Sequence, residues 1–350
     1  MKIIIALLIF SAIILFHELG HFLLARRGGI TVVEFSLGMG PRILSHVSRR
    51  SGTRYSWKLL PFGGSCMMLG EDEDNTAEGA FGNASVWTRM SVVVAGPLFN
   101  FLLAFLCSLF IIGSVGYDKP VVLAVSEGLP AAGAGIEAGD IITEIDGKTI
   151  HLQREITNYV TFHQKRMSTG KPIEVKYIHD GETKVAQLVP VVSGGRYLFG
   201  ISGSSNYRTK ASAVQVVIYS VWEVKYWIDT TLGSLGLMFQ GEVTVEDVSG
   251  PVGVVQAIGE TYEESREDGA YYVWLNLLNM VILLSANLGV MNLLPFPALD
   301  GGRFALLLLE AVRRKRLNQN LEAGINYAGF LLLMVLMVVI LISDTGKLLG

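Results

Sequence analysis

The sequence predicts a polytopic α-helical membrane protein with four transmembrane helices, a membrane-associated β-hairpin region and an inserted α/β domain. Of its 350 residues, 51% are hydrophobic and only 17% are charged, a balance too apolar for an ordinary soluble domain. Four apolar stretches reach about the 20 residues that are needed to cross a bilayer. Between the second and the third stretch, alternating apolar residues and glycine-containing turns indicate strands.

The four spans define the predicted domain organisation. They are expected at about residues 3–25, 90–115, 271–294 and 323–343. The predicted parts are an N-terminal membrane part (1–115), the α/β domain (116–203), an interfacial helix region (204–268) and a C-terminal membrane part (269–350). Residues 211–240 are apolar but contain Glu223, Lys225 and Asp229 together with several Trp and Tyr residues. This composition favours an amphipathic helix at the membrane surface over a fifth span.

Basic residues set the expected orientation. Residues 26–60 carry seven Arg and Lys residues against one acidic residue, Glu34, and residues 313–316 read Arg-Arg-Lys-Arg. Short loops rich in Arg and Lys stay in the cytoplasm, so both segments are expected there. Both chain termini and the region 118–268, which includes most of the α/β domain, are then expected on the extracytoplasmic side.

The segment that follows the first span, at about residues 31–70, contains alternating and glycine-rich pieces such as VVEFSLGMGPRIL. The alternation predicts short strands or hairpins. Two alternatives remain open on the pattern alone. The hairpins dip toward the membrane, where non-helical backbone has to pair with protein or line a cavity, or they form a plain cytoplasmic hairpin.

His17, Glu18 and His21 form the pattern H-E-x-x-H inside the first apolar stretch. Two histidines four residues apart lie on one helical face, close enough to hold one metal ion, and the adjacent glutamate is the usual general base in this pattern. The alternative is a pair of interfacial histidines that cap a signal-anchor helix. Ionisable groups within the membrane are costly and are usually functional, which favours a zinc site with Glu18 as the catalytic residue.

A catalytic zinc ion usually takes three protein ligands, and Asp300 is the candidate for the third. It follows Pro295 and Pro297, which end the third span, and it precedes two glycines. The alternative is that Asp300 caps the next helix. Orientation favours the ligand, because His17 lies about 22 Å along a helix that enters from outside, and the third span brings Asp300 to that same cytoplasmic side. A fifth span at 211–240 would place them on opposite sides.

Residues 116–203 have the pattern of a soluble α/β module. It contains a strand-like VVLAVSEG, a helix expected at Gln153–Gln164, and strands IEVKYIHD and TKVAQLVPV joined by an Asp-Gly turn. Residues 128–147 read GLPAAGAGIEAGDIITEIDG. This long run resembles a PDZ domain of the bacterial protease type, which implies a domain that recognises or excludes peptide segments.

Three motifs together are similar to those of the site-2 protease family of intramembrane zinc metalloproteases. They are HELGH in the first span, AGPxxN ending at Asn100 in the second, and NxxPxPxLDG from Asn292 to Gly301 after the third. The resemblance covers essentially the whole chain. With a single PDZ domain between the second and third spans, the chain looks like the bacterial RseP/RasP branch.

The resemblance implies zinc held by His17, His21 and Asp300, with Glu18 as the base. It implies that Asn292 contacts the substrate backbone or the oxyanion. Asn100 is a weaker candidate for substrate contact, and a buried Asn that joins helices is the alternative.

The resemblance also implies a lipid environment in a bacterial cell membrane and regulated intramembrane proteolysis. The substrates would be single-span membrane proteins, such as anti-sigma factors or remnant signal peptides, already cleaved by another protease. The family also has a membrane-associated hairpin after its first span.

Other classes of function find less support in the sequence. A non-catalytic receptor or scaffold that binds peptides through the PDZ domain has no need for three metal ligands and a base. A transporter is expected to show an internal repeat, and none is visible. The net charge of −3 gives no sign of nucleic-acid binding, and Cys66 and Cys107 imply no disulfide framework.

Overall fold

The computed structural model describes residues 2–71, 77–203, 207–243 and 249–349. The chain separates into two compact units. The first unit comprises Met1–Cys107 and Gly241–Gly350, and the second comprises Ser108–Gln240. The first unit therefore contains most of the predicted membrane parts, and the second contains the predicted α/β domain with the amphipathic segment that follows it.

The helices and strands are as follows. In chain order the α-helices are α1 (Lys2–Arg27), α2 (Val86–Val115), α3 (Pro130–Gly133), α4 (Gln153–Phe162), α5 (Gln164–Met167), α6 (Ala213–Phe239), α7 (Pro251–Arg266), α8 (Ala270–Leu293), α9 (Asp300–Arg313) and α10 (Gln319–Leu349). The strands are β1 (Val32–Val47), β2 (Arg54–Met68), β3 (Ala124–Val125), β4 (Ile141–Ile145), β5 (Lys148–Thr149), β6 (Ile173–His179), β7 (Glu182–Leu188), β8 (Val191–Ser193), β9 (Arg196–Leu198) and β10 (Ile201–Ser202). A short 3-10 helix covers Phe81–Asn83.

The helices α1, α2, α8 and most of α10 are long and apolar enough to cross a membrane. They coincide with the four predicted spans. The ends of α1, α2 and α10 extend past the predicted limits, because helical hydrogen bonding does not stop where the apolar residues stop. The structure thus agrees with a four-span helical architecture.

Strands β1 and β2 form one antiparallel sheet in which the chain folds over twice. Phe35 lies opposite Cys66 and also opposite Tyr55, while Trp57 lies opposite both Leu37 and Leu44. The first halves of the two strands therefore occupy the middle of the sheet. The second half of β1 and the second half of β2 form its two outer edges.

The two halves of β1 differ in burial. Residues 32–38 alternate between buried and less buried positions, whereas residues 39–47 are all exposed. The exposed part of the sheet carries large apolar side chains, namely Met39, Ile43, Leu44, Val47, Trp57, Leu59 and Leu60. Monomeric soluble proteins rarely expose an apolar patch of this kind. The burial pattern therefore favours the alternative in which this region dips toward the membrane.

The predicted interfacial region at 204–268 contains a second helix that the sequence pattern does not predict. The predicted amphipathic helix is α6, whereas α7 belongs to the first unit. There Ile258 is fully buried in a cluster with Ile13 of α1 and Leu277 of α8. The helix was missed because its apolar residues lie only in its first half, ahead of the acidic sequence ETYEESRE.

The second unit is built on a four-stranded sheet in the order β5-β4-β6-β7, with antiparallel neighbours. Its core contains fully buried apolar side chains, among them Ile142, Ile145, Met167, Ile173, Val175 and Leu188. Asp180 and Gly181 have φ angles of 51° and 85°, which a two-residue turn between β6 and β7 requires. The predicted Asp-Gly turn is therefore confirmed.

Two predicted elements of the second unit are shorter than expected. The strand predicted over VVLAVSEG is reduced to β3, which pairs with β10. The helix predicted at Gln153–Gln164 ends at Phe162, because the backbone of His163 leaves the helical region at φ −117° and ψ 34° before α5 begins.

Candidate metal centre

Helix α1 brings His17 and His21 together on one face. Both side chains are buried, and their Nε2 atoms lie 3.2 Å apart. Nδ1 of His21 lies 2.8 Å from the carbonyl oxygen of Val92 in α2. A carbonyl oxygen only accepts, so Nδ1 of His21 carries the proton and Nε2 keeps its lone pair. This tautomer leaves Nε2 free to bind a metal ion.

Asp300 joins the two histidines from the other end of the chain. Its Oδ2 atom lies 3.1 Å from Nε2 of His17 and 3.5 Å from Nε2 of His21. Asp300 is the first residue of α9, and the capping position is taken by Leu299, which forms no side-chain cap. The helix-cap alternative for Asp300 therefore finds no support in the structure.

The two glycines after Asp300 allow this close approach. A Cβ atom added to Gly301 would lie 2.2 Å from the carbonyl oxygen of Leu294, and one added to Gly302 would lie 2.2 Å from that of Phe296. Any side chain there would push the start of α9 away from the end of α8. The glycines of the LDGG sequence thus permit the position of Asp300.

The three residues fit a zinc ion. One ligand atom from each of His17, His21 and Asp300 lies within 4.8 Å of the other two. Two imidazole nitrogens and one carboxylate oxygen are a ligand set of catalytic zinc sites. Oδ2 of Asp300 is buried and has no hydrogen-bond partner. A buried carboxylate oxygen in that state is costly unless an ion completes its contacts.

Helix α2 also borders the site, and a glycine of this helix, Gly96, lies against the two histidines. A Cβ atom on Gly96 would lie 2.4 Å from Nε2 of His21 and 2.7 Å from Cε1 of His17. Only a residue without a side chain lets α2 approach both imidazole rings. Gly96 belongs to the AGPxxN motif, but the motif does not predict that this glycine lies against the histidines.

Asn100 lies about one turn after Gly96 in α2, and its side chain contacts His17. Its side chain is fully buried, with the amide nitrogen Nδ2 placed 3.1 Å from Nδ1 of His17, and Ser285 of α8 donates to its backbone carbonyl at 2.9 Å. A histidine that binds metal through Nε2 carries its proton on Nδ1. With the carboxamide turned so that its oxygen faces His17, Asn100 accepts that proton. This geometry favours helix contact and orientation of His17, and the substrate role of Asn100 remains a prediction.

Glu18 and Asn292 complete the predicted residues. The Oε2 atom of Glu18 accepts a hydrogen bond of 2.8 Å from the backbone N–H of Cys66, in the second half of β2. A Cβ atom on Gly64 would lie 3.4 Å from Cγ of Glu18, so one outer edge of the sheet lies beside the predicted base. Asn292 is half-buried in the last turn of α8, and its contact with substrate remains a prediction.

A cavity of about 550 Å³, lined by both polar and apolar side chains, extends from Asp300 within the first unit. It is lined by charged residues that include Arg89 and Glu310, a buried ion pair with a closest approach of 2.5 Å. The charged residues of its lining give polar surroundings to one side of the metal centre.

These features define a class of protein. A pair of histidines and an aspartate converge within helices that are apolar enough for a membrane, and a glutamate follows the first histidine. This is the arrangement of a metallopeptidase built into membrane helices.

A family model for peptidase family M50 matches residues 5–336, and the chain belongs to this family. The predicted resemblance to the site-2 proteases is thereby confirmed, as is the enzyme class, a zinc metalloprotease. Zinc as the cofactor agrees with the names of the relatives.

The relatives match along nearly their whole length. A protein of Clostridium acetobutylicum, provisionally named a zinc metalloprotease, is 35% identical over 343 residues, covering 98% of this chain and 97% of that protein. Zinc metalloprotease RasP of Bacillus licheniformis is 28% identical, with 98% of each chain covered. Regulator of sigma-W protease RasP of Bacillus subtilis is 27% identical, covering 98% of this chain and 97% of that protein.

Among solved structures, the PDZ domain of an SdrC-like protein from Listeria monocytogenes is 30% identical to this chain. The match covers 25% of this chain and 88% of that domain, with a TM-score of 0.22.

Proposed function

We propose that this bacterial membrane protein is an intramembrane zinc metalloendopeptidase that hydrolyses peptide bonds within the transmembrane segments of single-span membrane proteins. The observation that carries the proposal is the convergence of His17, His21 and Asp300 within candidate membrane helices, with an unsatisfied carboxylate oxygen at their centre. Relatives named RasP, one of them a regulator of sigma-W protease, support the same activity.

In the proposed reaction His17, His21 and Asp300 hold the zinc ion. A zinc ion held by these residues would supply Lewis-acid chemistry, polarising the scissile carbonyl and lowering the pKa of a water molecule to about 7. Glu18 accepts a proton from the attacking water and donates it to the leaving amine. Asn100 keeps the proton of His17 on Nδ1, and Asn292 donates a hydrogen bond to the substrate backbone or the oxyanion.

A transmembrane substrate has to unwind before it can be cut, because helical carbonyl groups are hydrogen-bonded within the helix. The outer edge formed by the second half of β2 offers hydrogen-bonding groups to the unwound segment, which is recognition by strand addition. Its proximity to Glu18 through the Cys66 N–H group supports this role. The extended substrate would then lie beside the base that acts on it.

The PDZ-like domain is proposed to restrict access. Following the charge distribution, it lies outside the cell membrane with both termini, and the metal centre lies toward the cytoplasmic side. In that position it would exclude substrates with large outer domains and admit those already cleaved by another protease. Anti-sigma factors and remnant signal peptides are substrates of the expected kind.

A direct test uses the purified full-length protein in detergent with a single-span test substrate, with and without a zinc chelator. We expect cleavage within the transmembrane segment that stops on chelation and returns when zinc is added. Binding of the substrate without cleavage, at full zinc occupancy, would contradict the proposal and favour a non-catalytic receptor that binds peptides through the PDZ-like domain.

A further inference from the structure

The outer edge of β2 presents alternating backbone groups. The N–H group of Leu69, directly after β2, donates to the carbonyl of Thr31 at 2.9 Å, on the β1 side of the sheet. Because successive residues of a strand point in opposite directions, the N–H groups of Met68 and Cys66 face away from β1. By the same alternation, Gly64 also presents its backbone groups at this edge.

Two of these outward N–H groups donate to carboxylates. Cys66 donates to Glu18, the proposed base, and Met68 donates to Oε2 of Glu71 at 3.2 Å. A carboxylate has two oxygens that accept hydrogen bonds, so Oε1 of Glu18 can take a proton from water while Oε2 keeps the Cys66 N–H group. The backbone groups of Gly64 and the carbonyl of Cys66 are then the part of the edge beside Glu18 that a substrate strand can pair with.

Arg303 binds the second carboxylate oxygen of Glu71, the one that does not accept from Met68. The guanidinium group donates to Oε1 of Glu71 and, at 3.3 Å, to its backbone carbonyl. The same group lies 5.5 Å from the centre of the Phe81 ring. The side chains of Arg303 and Glu71 are only 20% and 17% exposed, so the contact is largely shielded from water. Arg303 stands one helical turn after Asp300 on α9.

We propose that Glu71 and Arg303 are positioning residues that end the substrate-binding edge at Met68. A substrate strand that paired with Met68 would have to displace the Glu71 carboxylate, which Arg303 holds in place. Pairing is therefore restricted to the Gly64–Cys66 part of the edge, next to Glu18. Strand pairing repeats every two residues, so a substrate strand can shift along the edge in steps of two residues. The end of the edge at Met68 limits these shifts and thereby determines which peptide bond of the substrate reaches the metal centre. The inference deepens the proposed function and rests on its strand-addition step.

The test compares Glu71→Leu and Arg303→Met in the full-length, zinc-loaded protein, with a single-span test substrate of defined sequence. Products are mapped by mass spectrometry. The wild type is expected to cut one main bond. Both variants are expected to keep their zinc and to cut further bonds displaced by two residues. Because the lost hydrogen bonds join groups of the enzyme and not the substrate, binding as a whole should not weaken. The fraction of the product that comes from the main bond should fall as the displaced bonds take their share.

Two conservative variants and one control separate positioning from general damage. Glu71→Gln keeps an oxygen for the Met68 N–H group and should retain most of the wild-type cleavage pattern. Arg303→Lys keeps the charge without the two-pronged contact and should lie between the wild type and Arg303→Met. Arg313→Met changes an exposed residue of the same type at the end of α9 and should leave the products unchanged.

The possible results are distinct. An unchanged product pattern in Glu71→Leu and Arg303→Met, at full zinc content, would overturn this inference alone. Loss of zinc from all four variants would also overturn it, because the pair would then support the metal centre and not the strand. A wild type that cuts no single-span substrate would overturn the proposed function, and this inference with it.

Discussion

Two clusters of buried ionisable side chains, one in each unit, are built in opposite ways. In the first unit His17, His21 and Asp300 direct their ligand atoms toward one point, and Oδ2 of Asp300 has no hydrogen-bond partner. In the second unit Arg154 of α4 donates to Asp118 at 3.0 and 3.1 Å and to Glu223 of α6 at 2.5 Å.

The second cluster satisfies its own charges. Burial alone disfavours the charged form of Arg154, but the carboxylates of Glu223 and Asp118 outweigh this effect and raise the pKa of the guanidinium group. The guanidinium carbon also lies 4.6 Å from the centre of the Tyr226 ring. These contacts join α4 to α6 within the second unit.

The difference indicates which cluster stabilises the fold and which has the features of a ligand-binding site. A buried charge cluster whose groups complete one another stabilises packing, whereas a cluster with an unsatisfied buried oxygen needs another group. Substitutions in either cluster test this distinction.

The largest effect is expected for Asp300→Ala. It removes the third ligand and the unsatisfied oxygen together, so zinc content and cleavage should both fall to background. Metal analysis of the purified protein and the single-span cleavage assay measure the two quantities. Normal zinc content in this variant would show that Asp300 is not a ligand.

Glu18→Gln tests the base within the same cluster. The variant keeps all three proposed ligands, so bound zinc should remain near stoichiometric. Loss of the general base should lower kcat by about a hundredfold to ten-thousandfold. A variant that cleaves at the wild-type rate would refute the role of Glu18. Asp300→Ala serves as the contrast, since it should lose zinc as well.

Arg154→Met tests the satisfied cluster. It leaves Asp118 and Glu223 buried without their shared cation, which costs about 3–5 kcal/mol when one partner of a buried pair is removed. We expect faster limited proteolysis of the second unit in the full-length protein, with zinc content unchanged. Arg196→Met, at an exposed position in β9, is the matched control. Loss of zinc in Arg154→Met would break the proposed distinction between the clusters.

A smaller effect is expected for Gly96→Ala. The added Cβ atom would lie 2.4 Å from Nε2 of His21, and overpacking of this kind costs about 1–3 kcal/mol. Zinc affinity should therefore fall by about ten- to a hundredfold, measured by competition with a chelator. Gly324→Ala, a helical glycine of α10 with no atom within 4 Å of the added Cβ, should bind zinc like the wild type.

Much of the fold was predictable because a membrane span is a local property of the sequence. The lengths of the apolar stretches located α1, α2, α8 and α10, and the Asp-Gly pair located the turn between β6 and β7. The helix α7 was not predictable, because it is stabilised by packing against α1 and α8 and not by its own apolar pattern.

The residues of the candidate site could likewise be predicted only in part. His17, Glu18 and His21 were predictable because helical spacing alone places the histidines on one face, and Asp300 followed from its motif and the direction of the spans. The sequence alone was thus enough to predict the spans, their expected orientation and the residues of a candidate zinc site. Only the tertiary structure showed that Gly96 admits α2, that the Val92 carbonyl selects the tautomer of His21, and that the Cys66 N–H group meets Glu18. These contacts use backbone atoms and missing side chains of residues distant in the chain, which no local pattern encodes.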